Sequence, residues 1–533
     1  MPSTITALLS LESATLLYFS LPFFIFFFGW LKLPVAMVIT PLFTITLFFS
    51  LQYFKNQQQT RKKTYSIREE LKQHPWITTL SIIVIIATIT LWVTLSGSGR
   101  FFLQNGDYHK HNAVLNDLVS MAWPVAYQNL PLYEIASENY PYKLDYFYLV
   151  YYLAYYLPAA LIGKIFADIY VANHMLFLWT IFGALLAIAW IFRLIGKLSM
   201  LAPCFFILFS GLDFIGLLFN PDPKSKNVES ILKGTSHIEW WAGYGFWQYS
   251  SSTACLFWTP HHFITAWVLT AFLLYWFMQK EQTTTSSACF SPFPFIYSLS
   301  AFWSPFVMIG LAPFLLLSLF HHPLKQLFHW KSILLPLLLL LTIALFYQGN
   351  LMKHPQGFFW DFLSPTIFWP RYLLFCFLEF GVYALLIWPL FRQGGAFERS
   401  LYAITIILLI LLPLYKLGYY NDFTMRVSLP ALFVLQLLVW KFLSSENFKQ
   451  DHLYPIKVMI VMALFLGSFT PLQEISRSIA HSEAQFEFTN VPKTFKGSQF
   501  MGHQNSLFFE YLGKSPPPTN ISITKESLDD LFK

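Results

Sequence analysis

The chain carries little charge for its length. Asp, Glu, Lys and Arg make up 11% of its 533 residues, whereas a soluble chain carries roughly 25%. Water is therefore not the main solvent of this protein. No hydrophilic stretch is long enough for a large soluble domain. Cysteine is scarce: Cys204, Cys255, Cys289 and Cys376 lie in or beside apolar runs, with no short paired spacing that would indicate a zinc motif or a disulfide framework, so packing is their expected role. The sequence holds no Gly-rich phosphate loop, nucleophile elbow or HExxH motif, which leaves a soluble nucleotide-using enzyme without support. No cofactor is implied.

What is present is apolar, with 56% hydrophobic and 20% aromatic residues. A helix needs about 20 apolar residues to cross a hydrocarbon core of about 30 Å, and such stretches follow one another from Leu8 to Thr470. The expected fold class is all-α, a polytopic transmembrane helical bundle of about thirteen spans. Met1 to Leu31 lacks a positively charged n-region, carries Glu12 and runs straight into a second apolar segment, so it reads as a first span rather than a cleaved signal peptide. The formal charge of +7 gathers largely in short loops between apolar segments. There it reports orientation rather than an acidic partner, and no nucleic-acid site is read from it.

Lys55, Arg61, Lys62, Lys63, Arg68 and Lys72 place the break at 55–74 in the cytoplasm, with the N-terminus also inside. Spans near 6–31, 35–54 and 76–95 then put a large loop, 96–145, outside. Segment 146–166 is apolar enough to span, yet it is rich in Tyr and interrupted at Pro158. Counting it as a span would leave Arg193 and Lys197 outside. An interfacial helix over 146–166 keeps them inside, and this is the expectation. Further spans follow near 169–192, 198–219, 259–279, 290–303, 305–320, 333–348, 368–391, 401–417, 428–443 and 456–471. The membrane domain is then 1–471, with a second outer loop at 220–258 and an extracytoplasmic tail at 472–533. In that tail Gln499 to Lys514 is too apolar to be freely solvated and is expected to pack at a cavity mouth, while the Pro516 to Pro518 region reads as a linker.

On this topology the unusual polar residues fall outside, in four places that one cavity can gather. The first, NGDYHKHNAVLND, holds Asp107, His109, His111 and Asp117. A carboxylate at the outer surface can take a proton from an attacking hydroxyl, which is the chemistry of glycosyl transfer from an activated lipid. A solvated loop, or a metal pair in His109 and His111, are the other readings. The second place runs from His237, Glu239, Trp240 and Trp241 to Pro260-His261-His262. Its aromatic faces suit sugar C–H faces, and they equally suit an interfacial belt. The third, Lys353 to Arg371, adds cations without an interpretable pattern. The fourth, GYYNDFTMRVSLP, offers Arg426 for a phosphate or diphosphate, with Asn421 and Asp422 to hold its guanidinium and Lys416 in reach. An ordinary polar turn with a snorkelling arginine is the alternative. Glu379 lies mid-span, as a functional group or a buried structural one.

These features resemble the GT-C class of membrane glycosyltransferases, which includes the protein O-mannosyltransferases and the lipid A aminoarabinose transferases. The likeness rests on an early span, a large first outer loop with Asp107, the segment YYLPAALIGKIF, and a following span that closes with RLIGK. FSGLDFIG, HIEWWA, FWSPFVMIGLAPF and YYNDFTMRVSLPALF further resemble uncharacterised bacterial multi-pass membrane proteins. The GT-C resemblance implies an inverting glycosyltransferase in the bacterial inner membrane, using a polyprenyl-phosphate sugar donor. Asp107 would be its catalytic base, and Arg426 or Lys416 would contact the lipid phosphate. His109, His111, His237, Glu239, Trp240, Asn421 and Asp422 would bind substrate. One departure is that Asp107 is followed by Tyr108 instead of a second acid. A transporter or flippase of a lipid-linked sugar, or a non-catalytic GT-C-like protein, are the alternatives.

Overall fold

The computed structural model describes residues 10–60, 67–128, 146–219, 237–242, 247–279, 290–320, 327–351, 355–445, 454–494 and 497–515. Lys353, Tyr244, Phe246, Cys289 and the Pro516 to Pro518 linker lie outside them. Among the described residues nine helices are long and apolar enough to cross a membrane: Leu11–Trp30, Leu33–Gln57, Pro75–Thr94, Ile169–Ile195, Leu201–Phe219, Trp330–Gln348, Pro365–Arg392, Ala396–Leu414 and Tyr454–Ala480. Several expose large side chains such as Val38, Phe48, Ile83 and Leu337 on the face turned away from the bundle. A helix that is apolar all round, with its backbone bonded internally, is the form that lipid accepts. The chain is a multi-pass membrane protein.

Local chemistry sets the boundaries. Ser10 accepts from the Ser13 amide to start the first helix, and Asp168 accepts from Tyr170 and Val171 to start Ile169–Ile195, which stops at Gly196 in the left-handed region. Ser304 alone separates Phe293–Trp303 from Pro305–Leu311; its backbone is extended and its hydroxyl caps the Val307 amide. The chain reverses there. Tyr347 donates to the Ala301 and Phe302 carbonyls and Ser291 N donates to Ser332, so Phe293–Trp303 runs alongside Trp330–Gln348. The stretch after Ser304 turns back: a Cβ on Gly310 would meet the Val427 carbonyl, and Phe320 contacts Phe397.

The structure is helical with almost no sheet, as the all-α expectation has it; at one end of the bundle two small antiparallel sheets form. Ala126–Gln128, Tyr146–Leu149 and Met501–His503 pair in that order, and Gln356–Phe358 pairs with Tyr415–Leu417. The expected helix over 146–166 is therefore three elements: the strand, a 3-10 turn at Leu153–Tyr155, and a helix at Leu157–Phe166. The aromatic run YFYL favours a pleated strand, and Pro158 fits only the first turn of a helix. Ten helical residues reach roughly 15 Å, half of a hydrocarbon core.

The last span differs too. Helix Tyr454–Gly467 is followed, after Ser468, by Phe469–Ala480, so helix runs well beyond 471. The chain then crosses the same end of the bundle as a strap. Gln104 N donates to Ala484 O, Asn490 and the Val491 amide bond Asp117, Leu351 N donates to Met501 O, and Lys514 N donates to Trp30 O. Phe508 sits among Phe26 and Phe346, and Phe509 stacks on Tyr148.

Candidate functional site

At this sheet-bearing end lies a cavity of about 710 Å³. Three of the four polar places contribute to its wall: Asp107 and His109 from the first, His237 and Trp240 from the second, Asp422 and Arg426 from the fourth. The strap adds Gln499 and Phe500.

Asp107 stands just before helix Tyr108–Ser120, and its amide donates to Asn105 Oδ1. Its carboxylate does not cap the helix; it pairs with Lys110 Nζ at 2.9 Å and stays a quarter exposed. Burial pushes this carboxyl up, but Lys110, His111 and Arg426 together hold it below its ordinary value. It is an ionised acceptor at neutral pH.

Arg426 Nη2 pairs with Asp422 Oδ1 at 2.7 Å, one helical turn back. Its Nη1 donates to His262 Nε2, which leaves His262 Nδ1 to donate to Ser304 Oγ at 2.6 Å. The reversal at Ser304 thus fixes the imidazole that steadies the arginine. Burial works against the guanidinium charge, and Asp422, Tyr152, Tyr151 and Asp107 outweigh it.

His237 also lines the cavity. Its Nδ1 meets Glu474 Oε1 at 2.8 Å and its Nε2 meets Glu239 Oε2 at 3.5 Å. Arg477 also bonds Glu474 Oε1, and Trp258 Nε1 donates to Glu474 Oε2. Burial alone would lower the imidazole, but Glu474 and Glu239 raise it to about 9. It is a cation at neutral pH.

The other expected binding residues stand behind the wall. His111 is buried, with Nδ1 against the Tyr156 hydroxyl and Nε2 against the Trp258 carbonyl, and burial lowers it to about 4. Glu239 accepts from Gln248 Nε2 and from Ser251 N. Asn421 does not hold the guanidinium: it adopts φ 57°, which its short amide tolerates, and caps helix Asp422–Val427 through Thr424. Lys416 sits in a strand with Nζ 5.3 Å from the Phe362 ring centre, and burial lowers it. Asp117 is fully buried, bonded by Tyr127, Asn490 and Val491 N. It is a framework residue, not a loop carboxylate.

Sequence reasoning missed several wall residues. Lys110 was visible as the i, i+3 partner of Asp107, and Tyr151 and Tyr152 lay within a segment read only as interfacial. Tyr347, Asn350, Gln499 and Phe500 had no local signal. Among the described residues no group of three or more His, Cys, Asp or Glu is arranged to hold a metal. The fold defines the class, a multi-pass membrane protein. No protein-family model, curated protein or solved structure matches the chain.

Proposed function

We propose that this protein is a membrane glycosyltransferase of the GT-C kind, which moves a sugar from a polyprenyl-phosphate carrier to an acceptor hydroxyl at the outer face of a bacterial inner membrane. The observation that carries the reading is one cavity whose wall holds an ionised carboxylate, Asp107, and a fixed guanidinium, Arg426, together with His237 and the aromatic side chains of Tyr151, Tyr152, Trp240 and Trp258. An acceptor hydroxyl bound at Asp107 gives up its proton to the carboxylate as its oxygen bonds the anomeric carbon. The bond from that carbon to the phosphate oxygen breaks, and the electron pair leaves with the phosphate. Lys110 orients Asp107, and Arg426 offers two parallel donors to the departing anion. Aromatic faces suit the sugar ring. In-line attack inverts the anomeric centre.

Charge supports the outward orientation. Lys55, Arg193, Lys331, Arg392, Arg399 and Lys441 lie in the end turns of helices, and Lys197 just past one, at the ends opposite the cavity, as the positive-inside rule asks of a cytoplasmic face. A transporter or flippase is the second reading, favoured by the buried carboxyls of Asp213 and Glu379 on spanning helices.

The test is chemical. Lipid extracts of a deletion strain are expected to accumulate a polyprenyl-phosphate sugar and to lack one glycan. Asp107→Asn, expressed at the normal level, is expected to lower transfer by about 10²–10⁴-fold, the usual cost of losing a general base. Full restoration of the glycan by that variant would remove Asp107 from the chemistry and shift the reading to transport.

A further inference from the structure

Three spanning helices meet around a pair of carboxyl groups that the cavity chemistry does not use. Asp213, fully buried, opens helix Asp213–Phe219, and its Oδ2 accepts from Ser210 Oγ at 2.8 Å and Thr470 Oγ1 at 2.9 Å. Glu379, 2% exposed, lies in the π-helical turn Phe377–Gly381, and its Oε1 accepts from Trp241 Nε1 at 2.7 Å. The remaining oxygens, Asp213 Oδ1 and Glu379 Oε2, are buried and receive no hydrogen bond from any donor among the described residues. Yet the two carboxyls are within hydrogen-bonding reach of each other. They face one another, and neither brings a donor.

The backbone is shaped for this approach. A Cβ on Gly211 would meet Glu379 Oε2 at 2.3 Å and the Glu379 Cα at 2.9 Å, and Leu212 N donates to the Leu378 carbonyl. One extra residue in the turn at 377–381 swings Glu379 toward Asp213, and such π-turns recur at functional sites. Among the described residues, the titratable groups that face the pair are Glu239, Tyr383, Cys376 and Tyr249. None of these supplies a positive charge.

Two buried carboxylates in contact, with no cation beside them among the described residues, repel at close range in a medium that screens poorly. A single proton changes the sign of the interaction: one carboxyl becomes a donor, an O–H···O⁻ bond forms, and both orphan oxygens are satisfied at once. We infer that Asp213 and Glu379 together form a binding site for one proton inside the membrane-spanning region. The site adjoins the cavity through three consecutive residues. Trp241 holds Glu379, Trp240 lines the cavity and donates to Gln248 Oε1, and Glu239 accepts from the same Gln248 side chain. This inference stands on the buried pair itself and is independent of the glycosyltransferase reading.

Infrared spectroscopy of the purified full-length protein in detergent tests it. At a pH well above the ordinary carboxylate range, a protonated-carboxyl C=O band is expected, moving to lower frequency in D₂O. Asp213→Asn and Glu379→Gln each place an amide donor where the shared proton sits, so each variant is expected to fold and to lose the band. Glu239→Gln is expected to keep it. The thermal unfolding midpoint of the wild type is expected to fall as rising pH strips the proton, and this dependence to flatten in Glu379→Gln. Absence of the band from the wild type, or its survival in both single variants, overturns the proposal. So does its loss on adding sodium at constant pH, which would make the pair a cation site. Should a variant fail to fold, the presence, deuterium shift and sodium response of the wild-type band still decide.

Discussion

At the scale of single residues, neighbouring acids in one segment have opposite roles, and only burial tells them apart. Asp107 is partly open and paired with Lys110, an i, i+3 contact worth only a few tenths of a kcal/mol; Asp117, ten residues on, is sealed under Tyr127, Asn490 and Val491. Asp107→Asn is therefore expected to change thermal stability by less than about 0.5 kcal/mol. Asp117→Asn is expected to destabilise by about 1–3 kcal/mol, because its amide NH₂ replaces one of two accepting oxygens and so faces either the Asn490 amide or the Val491 N–H; thermal unfolding of both variants checks the contrast, and equal stabilities would contradict it. His237 supplies a pH test. Its imidazole is raised from 6.5 to about 9 by Glu474 and Glu239, so the folded protein holds a proton that the unfolded chain releases between those values. That stabilisation is complete below about 6.5 and declines as pH rises through about 9, on the order of 3 kcal/mol at about 1.4 kcal/mol per unit. His237→Gln is expected to flatten the unfolding midpoint over that window. The residue types were legible in the sequence, since Asp107, Arg426 and the aromatic wall stand in recognisable polar segments between apolar runs. Which of them turn inward was not, because that depends on partners hundreds of residues away, such as Glu474 for His237 and Asn490 for Asp117.

At the scale of elements, the spans were legible because lipid imposes one solution, an apolar run with internal hydrogen bonds. The small sheets were not. Strand Met501–His503 is three residues long and has no period to read; it exists because Tyr146–Leu149 presents an open edge and the chain returns to it. The strap was legible in part, from the density of Phe508, Phe509, Tyr511 and Leu512. Its close docking rests on Gly502, where a Cβ would meet Val150 Cγ2 at 2.5 Å and the Gly349 carbonyl oxygen at 3.0 Å. Gly502→Val is expected to push the strand off this edge. The expected result is a loss of about 1–3 kcal/mol from overpacking, together with increased proteolysis between Ala480 and Lys514. Unchanged thermal stability and protease resistance would mean that the strap is not held by this pairing.

At the scale of the whole molecule, contacts sort the helix ends into two sets. Glu12 meets Arg193, whose guanidinium lies over Tyr275; Phe54 packs on Trp276 and Phe293; Ser291 bonds Ser332; Phe320 packs on Phe397, and Glu398 pairs with Lys441. All of these ends lie away from the cavity. At the cavity end, Arg100 and Tyr170 both touch Phe488, and Lys164 Nζ bonds the Val119 and Met121 carbonyls. Pro75–Thr94 thus arrives where Ile169–Ile195 departs, and the described residues between them, 95–128 and 146–168, lie at that end. Among the described residues nine helices are long and apolar enough to cross a membrane; the expected count of about thirteen requires that segment 146–166 does not cross and that four helices shorter or less apolar than an ordinary span of about 20 residues do. The expected consequence is a sidedness that single cysteines can read in a chain freed of Cys204, Cys255, Cys289 and Cys376. Ser120→Cys and Ala167→Cys, both at exposed positions, are expected to react with a membrane-impermeant maleimide added to intact spheroplasts. Lys197→Cys, exposed beyond the far end of Ile169–Ile195, is expected to react only after lysis. If Ser120→Cys labels from outside while Ala167→Cys labels only from within, segment 146–166 crosses the bilayer, and the packing of helix Leu157–Phe166 on the first loop is wrong. If both label only from within, the cavity opens to the cytoplasm, where a lipid-linked sugar donor for outer-face transfer would not reach Asp107.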